Sequence, residues 1–183
     1  GKADQTLVIF TSDNGSLFEN LPLRANKGYL YEGGIRVPWI MRWPGEIEAG
    51  KTSSLPVISS DLFPTLLDVA GWDLSQTAPL DRESLKGWIL GEIPLKRNVL
   101  HFHYPNYAFH KNNRLGSAIR KGHHKLIHFY DDDSLELYDL EKDIAESKDL
   151  SASSPELAHA LKLELDQWRQ MTRAIAPTRV VLP

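Results

Sequence analysis

The chain has 183 residues, of which 42% are hydrophobic and 25% charged, with a formal net charge of −3 and no cysteine. These values are ordinary for a globular protein of one domain, or of one domain with a small appendage. The absence of cysteine excludes disulfides and thiol chemistry, and the negative net charge argues against nucleic-acid binding. No apolar run approaches the ~20 residues that a membrane-spanning helix needs. No signal peptide is recognisable, and a start at Gly1 rather than Met leaves open that the natural N-terminus is missing.

An apolar run near the start of the chain, residues 7–10, breaks abruptly into Ser12-Asp13-Asn14-Gly15. The run predicts a strand buried on both faces, as in a parallel sheet. Ligands of open α/β sheets bind beyond the carboxyl ends of such strands, and a carboxylate beside a carboxamide suits a hard divalent cation. Asp13 and Asn14 are therefore candidate metal ligands. The residues alone leave open a plain Asn-Gly turn with Asp13 as its helper.

The next segment, residues 15–34, carries no helical or strand period, which is typical of a long loop with a functional reason. Residues 37–43 are the second strand candidate, closed by the turn Pro44-Gly45. Residues 60–71 predict a helix capped by Ser59 or Ser60 and stopped by Gly71, and residues 84–90 predict a shorter one.

The last third of the chain predicts a small sheet and a terminal helix. A strand at 98–104 is followed by three short strands at 117–121, 125–130 and 135–140, which form an antiparallel meander. The acidic run 131–133 lacks the rest of the EF-hand spacing and predicts a solvated hairpin turn. A helix capped by Ser154 should lie across this sheet, because one apolar stripe runs along it through Leu157, Leu161, Leu165 and Trp168.

Two histidines, His101 and His103, alternate on the predicted strand 98–104 and therefore point to the same face. Such a pair could bind a transition metal or contact a substrate, and a structural role is an equal alternative. The remaining histidines considered show no partner pattern, and they are His110, His123, His124 and His128.

One longer motif is specific. It reads Lys27-Gly28-Tyr29-Leu30-Tyr31-Glu32-Gly33-Gly34-Ile35-Arg36-Val37-Pro38. Together with the upstream Ser-Asp-Asn-Gly, this motif resembles the second half of the sulfatase family, within the alkaline-phosphatase-like superfamily. Residues 118–122, 125–127 and 136–140 resemble the family's small C-terminal subdomain, so the resemblance covers most of the chain.

The resemblance implies an α/β fold: the C-terminal portion of an alkaline-phosphatase-like sulfatase fold, with a small antiparallel sheet packed by a C-terminal helix. Residues 1–95 would form part of the α/β core, with the metal and sulfate loop and covering helices. Residues 96–183 would form the small subdomain with its terminal helix.

The resemblance also implies site residues. Asp13 and Asn14 would ligate Ca²⁺ or Mg²⁺, and Lys27 would contact the sulfate and act in catalysis by stabilising its negative charge. His101 and His103 would lie near the substrate, whereas Arg24 and Asn26 receive no role. Sulfatases use a formylglycine made from the Cys or Ser of a C/S-x-P-x-R segment, and this chain contains no such segment. The nucleophile is therefore expected outside the chain, and the chain alone is expected to be inactive.

The expected parent protein is a periplasmic or secreted hydrolase of a sulfated small molecule or glycan. Alternatives that stay open are a related phosphoester hydrolase, a phosphoethanolamine transferase of the same superfamily, or a non-catalytic binding module. We also expect the isolated chain to self-associate through its exposed core strand.

Overall fold

The computed structural model describes residues 1–78, 80, 82–95, 97–106 and 112–177. They form two compact units, the first from residues 1–13 and 38–98 and the second from residues 14–37 and 99 onward. The sequence analysis assigned the loop 14–37 to the N-terminal part, whereas the structure groups it with the small sheet. In chain order the strands and helices are β1 (Val8–Thr11), α1 (Glu32–Ile35), β2 (Trp39–Arg42), α2 (Leu62–Val69), α3 (Lys86–Ile89), β3 (Val99–Tyr104), β4 (Gly116–Lys121), β5 (His124–Phe129), β6 (Leu135–Asp139) and α4 (Pro155–Thr172).

The first unit contains the two-stranded antiparallel sheet β1–β2, in which Phe10 lies opposite Ile40. Burial alternates along both strands, and Val8, Phe10 and Ile40 are 48%, 61% and 60% exposed. The strand is therefore exposed on one face, as expected for the isolated chain, and its burial on both faces in a parallel sheet of the full-length protein stays a prediction. The physical reason is that, within the described residues, β1 pairs with β2 alone and its outer face has no covering layer in this unit.

The predicted helix 60–71 is confirmed as α2, and it ends just before Gly71, which has a φ of +80°. The predicted cap by Ser59 or Ser60 is wrong, because both serines lie within a preceding 3₁₀ turn and Asp61 occupies the N-cap position of α2. Asp61 begins this helix with a fully buried carboxylate. The guanidinium of Arg97 donates to both of its oxygens, at 2.6 and 2.7 Å, and the Ile58 N–H donates at 2.9 Å. A buried carboxylate needs such partners, because an unpaired charge away from water is costly.

The second unit is built on a four-stranded antiparallel sheet in the order β3-β4-β5-β6. This confirms the predicted meander and adds β3 as its fourth strand. One face packs against α4 through Ile119, Leu126 and Leu137. The opposite face packs against Leu30 and Tyr31 of the loop 14–37. The sheet is therefore the middle layer between the terminal helix and that loop.

Helix α4 carries the predicted stripe, with Leu161 and Leu165 buried against the sheet. Ser154 occupies the N-cap position, but its side chain makes no capping hydrogen bond, so the predicted side-chain cap is wrong. Only its carbonyl takes part, accepting from the Ala158 N–H at 3.1 Å. In the part of the chain that the structure describes, no helix is long and apolar enough to cross a membrane.

The exposed face of β1–β2 leads to a testable expectation of self-association. At about 25 cal/mol per Å², a contact that buries a few hundred Å² of this face contributes several kcal/mol. Light scattering after gel filtration should therefore show oligomers whose fraction rises with concentration. The double variant Phe10→Ser/Ile40→Ser should shift the chain to monomer, and Leu163→Ser, on the exposed side of α4, should not. A monodisperse monomer of the unaltered chain at high concentration would contradict the expectation.

Candidate functional site

The loop 14–37 is folded back on itself by backbone hydrogen bonds. The Gly15 N–H donates to the Gly34 carbonyl at 2.9 Å, and the Lys27 N–H donates to the Ser16 carbonyl at 2.8 Å. A third bond joins the Gly33 N–H to the Arg24 carbonyl at 2.9 Å. These bonds bring the start, the middle and the end of the loop together, so the loop has one defined conformation.

Two glycines make this close approach possible. A Cβ on Gly15 would clash with the carbonyl of Gly33, and a Cβ on Gly33 would clash with the carbonyls of Arg24 and Ala25. In each case the obstacle is backbone, which cannot move aside as a flexible side chain can. Gly15 and Gly33 therefore allow the loop to close on itself.

A buried charge cluster anchors this loop to the sheet. Lys125 on β5 is 0% exposed, and its Nζ lies 3.0 Å from Glu32 Oε1 and 2.8 Å from Glu146 Oε1. The backbone N–H of Glu32 donates to Glu146 Oε2 at 2.6 Å. Two carboxylates and one ammonium thus fix the first residue of α1, five positions beyond Lys27.

The two carboxylates of this cluster are affected differently by their surroundings. Burial acts to raise the pKa of Glu32, but Lys125 outweighs it and the pKa is lowered. Burial raises the pKa of Glu146, and Lys125 offsets only part of that effect. Glu32 also lies 3.3 Å from the guanidinium of Arg36, which supports its charged form.

Arg24 is a second anchor, and the sequence analysis missed it. Its guanidinium lies 3.9 Å from the centre of the Tyr31 ring and donates to the Tyr138 hydroxyl at 2.7 Å and the Glu146 carbonyl at 3.0 Å. Tyr31 and Tyr138 both donate to Glu136 Oε2, at 2.8 and 2.6 Å. Burial is the main cause of a raised pKa of both tyrosines, and Glu136 adds to the effect. This stacked, hydrogen-bonded arrangement holds the loop against β6.

The loop holds Lys27 with its ammonium available to a ligand. Its backbone is fixed by Ser16, and the next residue, Gly28, accepts a hydrogen bond from the side-chain amide of Asn113. Lys27 is half-buried, and its ammonium forms no hydrogen bond or ion pair within the described ranges of the chain. A positioned cation of this kind is suited to an anionic group such as sulfate or phosphate.

Asp13 and Asn14 lie directly after β1, as the sequence predicted, and the boundary between the two units falls between them. Asp13 is exposed and Asn14 is half-buried, and the Ser12 hydroxyl donates to Asp13 Oδ1 at 3.3 Å. Their donor set is a carboxylate and a carboxamide oxygen, which fits Ca²⁺ or Mg²⁺. Two residues supply only part of the 6–8 oxygens that Ca²⁺ takes, so further ligands would be needed.

His101 and His103 lie on the same face of the sheet, as predicted, and that face packs against α4. The His101 ring stacks on Trp168 with centres 4.7 Å apart and planes 4° from parallel. His103 Nε2 lies 3.2 Å from the Ile175 carbonyl, and its Nδ1 lies 2.8 Å from the Ser117 hydroxyl. Because a carbonyl oxygen only accepts, Nε2 carries the proton and Nδ1 of the neutral ring accepts. These contacts support the structural alternative, and a substrate role stays a prediction. His110 lies outside the described residues.

The burial of His103 and His128 predicts that the stability of the folded chain depends on pH. Burial lowers the pKa of His103 and also that of His128. An unfolded histidine has a pKa of about 6.5, so between that pH and the lower pKa of the folded chain the unfolded chain binds more protons than the folded chain. The stabilisation of the folded chain is therefore complete above about pH 6.5 and is lost as the pH falls towards the lower pKa. Urea unfolding at pH 7.5 and 5.5 should show the decrease, which should be smaller for His103→Gln. His159→Gln, on the exposed side of α4, should behave like the unaltered chain. An equal decrease in both variants would contradict the assignment.

Comparisons with known proteins identify the family to which this chain is similar. A protein-family model described as N-sulphoglucosamine sulphohydrolase, C-terminal, matches residues 25–171. The chain is 34% identical to a sulfatase of Formosa agariphila, over 98% of this chain and 35% of the relative. It is 35% identical to human arylsulfatase A, over 88% of this chain and 37% of the relative.

One solved structure is similar to this chain in fold and in sequence. It shows a protein in complex with its substrate D-glucosamine-2-N,6-O-disulfate, with a TM-score of 0.80 and 30% identity over 97% of this chain and 36% of that one. The chain thus spans about a third of the length of the relatives it matches.

Proposed function

Because this chain belongs to the sulfatase family and matches its C-terminal part, we propose that it supplies one part of the active site of a sulfuric ester hydrolase. The observation that carries the proposal is the position of Lys27. Its loop is fixed by backbone bonds, by the Lys125 cluster and by Arg24, whereas its own ammonium is not used by the described residues. A loop that is anchored so firmly around an ammonium that the described residues leave unpaired is suited to hold an anion in one orientation.

In the proposed reaction Lys27 binds the sulfate group of the ester and orients it. Negative charge on the transferred group has to be stabilised as the ester bond breaks, and a compact ammonium already in place does this without reorganisation. Sulfate rather than a carboxylate is favoured as the ligand because the chain belongs to a family of sulfatases. The proposed substrate class is a sulfated sugar or aryl sulfate, since one similar protein has D-glucosamine-2-N,6-O-disulfate as its substrate.

Asp13 and Asn14 are proposed as ligands of a divalent cation, Ca²⁺ or Mg²⁺. When bound, the cation would supply Lewis-acid polarisation of a sulfate oxygen. The support from this chain is the pair of hard oxygen donors that directly follows β1. The remaining ligands would come from outside the chain.

The nucleophile is also proposed to lie outside the chain, as a formylglycine, because none of its serines stands in a C/S-x-P-x-R segment and it has no cysteine. The isolated chain should therefore release no sulfate. We propose a periplasmic or secreted location for the full-length protein, on family resemblance alone.

The test measures product release by the full-length protein. We expect sulfate release from 4-nitrophenyl sulfate and from 6-O-sulfated glucosamine to exceed phosphate release from 4-nitrophenyl phosphate. Treatment with EDTA should stop turnover, and Ca²⁺ or Mg²⁺ should restore it. Preferential phosphate release would favour a phosphoester hydrolase instead, and substrate binding without turnover would favour a non-catalytic module. Either result would overturn the proposal.

A further inference from the structure

A second cluster of potential ligands lies in the small sheet, at the hairpin between β4 and β5. Gly122 turns the chain with a φ of +59°, and the two residues that follow are His123 and His124. Across the β5–β6 ladder, His124 lies directly opposite Asp139. One ligand atom from each of His123, His124 and Asp139 lies within 4.8 Å of the others.

The backbone holds these three side chains together. The Leu140 N–H donates to the His123 carbonyl at 2.8 Å, which ties the residue after Asp139 to the turn. The Asp139 carboxylate is oriented by the Glu141 N–H, which donates to Oδ1 at 3.2 Å. Hydrogen bonds of this kind around a potential ligand fix its direction before an ion arrives. The cluster is therefore preorganised by a β-hairpin and a strand end.

We propose that His123, His124 and Asp139 form a surface site for a first-row transition metal ion, with Zn²⁺ as the expected occupant. Two imidazole nitrogens and one carboxylate are a donor set that Zn²⁺ accepts, and three protein ligands leave a fourth position to water. The set differs from the hard oxygens of Asp13 and Asn14, so this site should discriminate against Ca²⁺ and Mg²⁺. Because it joins the turn to the end of β6, an edge strand, a bound ion would stabilise this edge of the sheet.

One neighbouring cation competes for the same carboxylate. The Lys142 ammonium lies 2.9 Å from Asp139 Oδ2, on a side chain that is 79% exposed. The Asp139 side chain is only 7% exposed, whereas the Lys142 ammonium lies in solvent, so a metal ion can displace the ammonium, which then returns to water. Removing Lys142 should therefore strengthen metal binding, which a cluster with no affinity for metal would not show.

The test is calorimetric titration of the tag-free, EDTA-treated chain with ZnCl₂, repeated with CaCl₂. We expect one equivalent of Zn²⁺ to bind at this site. His123→Ala and His124→Ala should each weaken binding at least about tenfold, and Lys142→Ala should strengthen it about two- to fivefold. His159→Ala, an exposed histidine on α4, is the matched control and should leave the affinity unchanged.

A second readout distinguishes ligation from a general loss of structure. Co²⁺ in place of Zn²⁺ should give visible absorption bands in the unaltered chain and in His159→Ala, and these bands should be lost in His124→Ala. Unchanged Zn²⁺ affinity in both His123→Ala and His124→Ala would overturn the proposal. Tighter binding of Ca²⁺ than of Zn²⁺ at this cluster would overturn it as well.

Discussion

Replacement of Lys27 by alanine in the full-length enzyme is expected to lower kcat/KM for a sulfate ester by about 10²–10³, the usual effect of removing one preorganised charge or donor. The ammonium is held in a loop that three backbone bonds and two side-chain clusters fix, so no nearby group can readily replace it. The other cations of this loop and its support are engaged in contacts within the second unit, and they are Arg24, Arg36 and Lys125. Steady-state kinetics with 4-nitrophenyl sulfate measures the effect.

The matched control for this variant is Lys148→Ala. Lys148 is an exposed lysine of the same unit, and its backbone N–H donates to Asp143 Oδ2 at 2.8 Å, outside the loop 14–37. The control should keep kcat/KM within about twofold of the unaltered enzyme, since exposed substitutions away from such features have small effects. A Lys27→Ala enzyme with near-normal turnover would mean that the loop does not hold the sulfate. Binding of the product sulfate should weaken in parallel with the rate, and an unchanged sulfate affinity would assign the loss to another cause.

Replacement of Lys125 by methionine is expected to lower the free energy of unfolding by about 3–5 kcal/mol, the typical cost of removing one partner from a buried charge cluster. The ammonium is fully buried between Glu32 and Glu146, and without it the two carboxylates would face each other away from water. Denaturant unfolding, followed by tryptophan fluorescence and circular dichroism, measures the change.

The control for the buried cluster is Lys121→Met on the neighbouring strand. The Lys121 ammonium lies 2.7 Å from Glu164 Oε2, and both side chains are about a third or more exposed. Such a pair contributes about 0–1 kcal/mol. The triple variant Lys125→Met/Glu32→Gln/Glu146→Gln should recover part of the loss, because the uncompensated charges are removed. A loss for Lys125→Met as small as that for Lys121→Met would show that the cluster does not anchor the loop.

The ion pairs of Lys125 could not be predicted from the sequence, although its position in β5 indicated that it is buried. Lys125 lies on the same face of β5 as Ile127 and Phe129, an inward position that should be apolar. A lysine at such a position indicates a buried partner. Its partner Glu32 is 93 residues away in the chain, and no local pattern connects the two.

The elements themselves were determined by the sequence. Short apolar segments separated by turn residues along β4, β5 and β6, and the spacing of Leu157, Leu161 and Leu165, are local properties. The meander and the terminal helix were therefore predicted with nearly the observed bounds. The order of the motifs also determined the family, because the residues Lys27–Pro38 and the Ser-Asp-Asn-Gly segment lie at a specific spacing.

Only the tertiary structure decided which faces are covered and which charges are paired. The apolar run of β1 predicted burial on both faces, but Val8 and Phe10 are exposed, because burial depends on neighbouring layers that a strand's own residues do not specify. Likewise, the spacing of His101 and His103 determined that they share a face, whereas the packing of α4 decided that this face contacts Trp168 and the Ile175 carbonyl. Periodicity is set within a few residues, and contacts between distant residues form only when the chain folds.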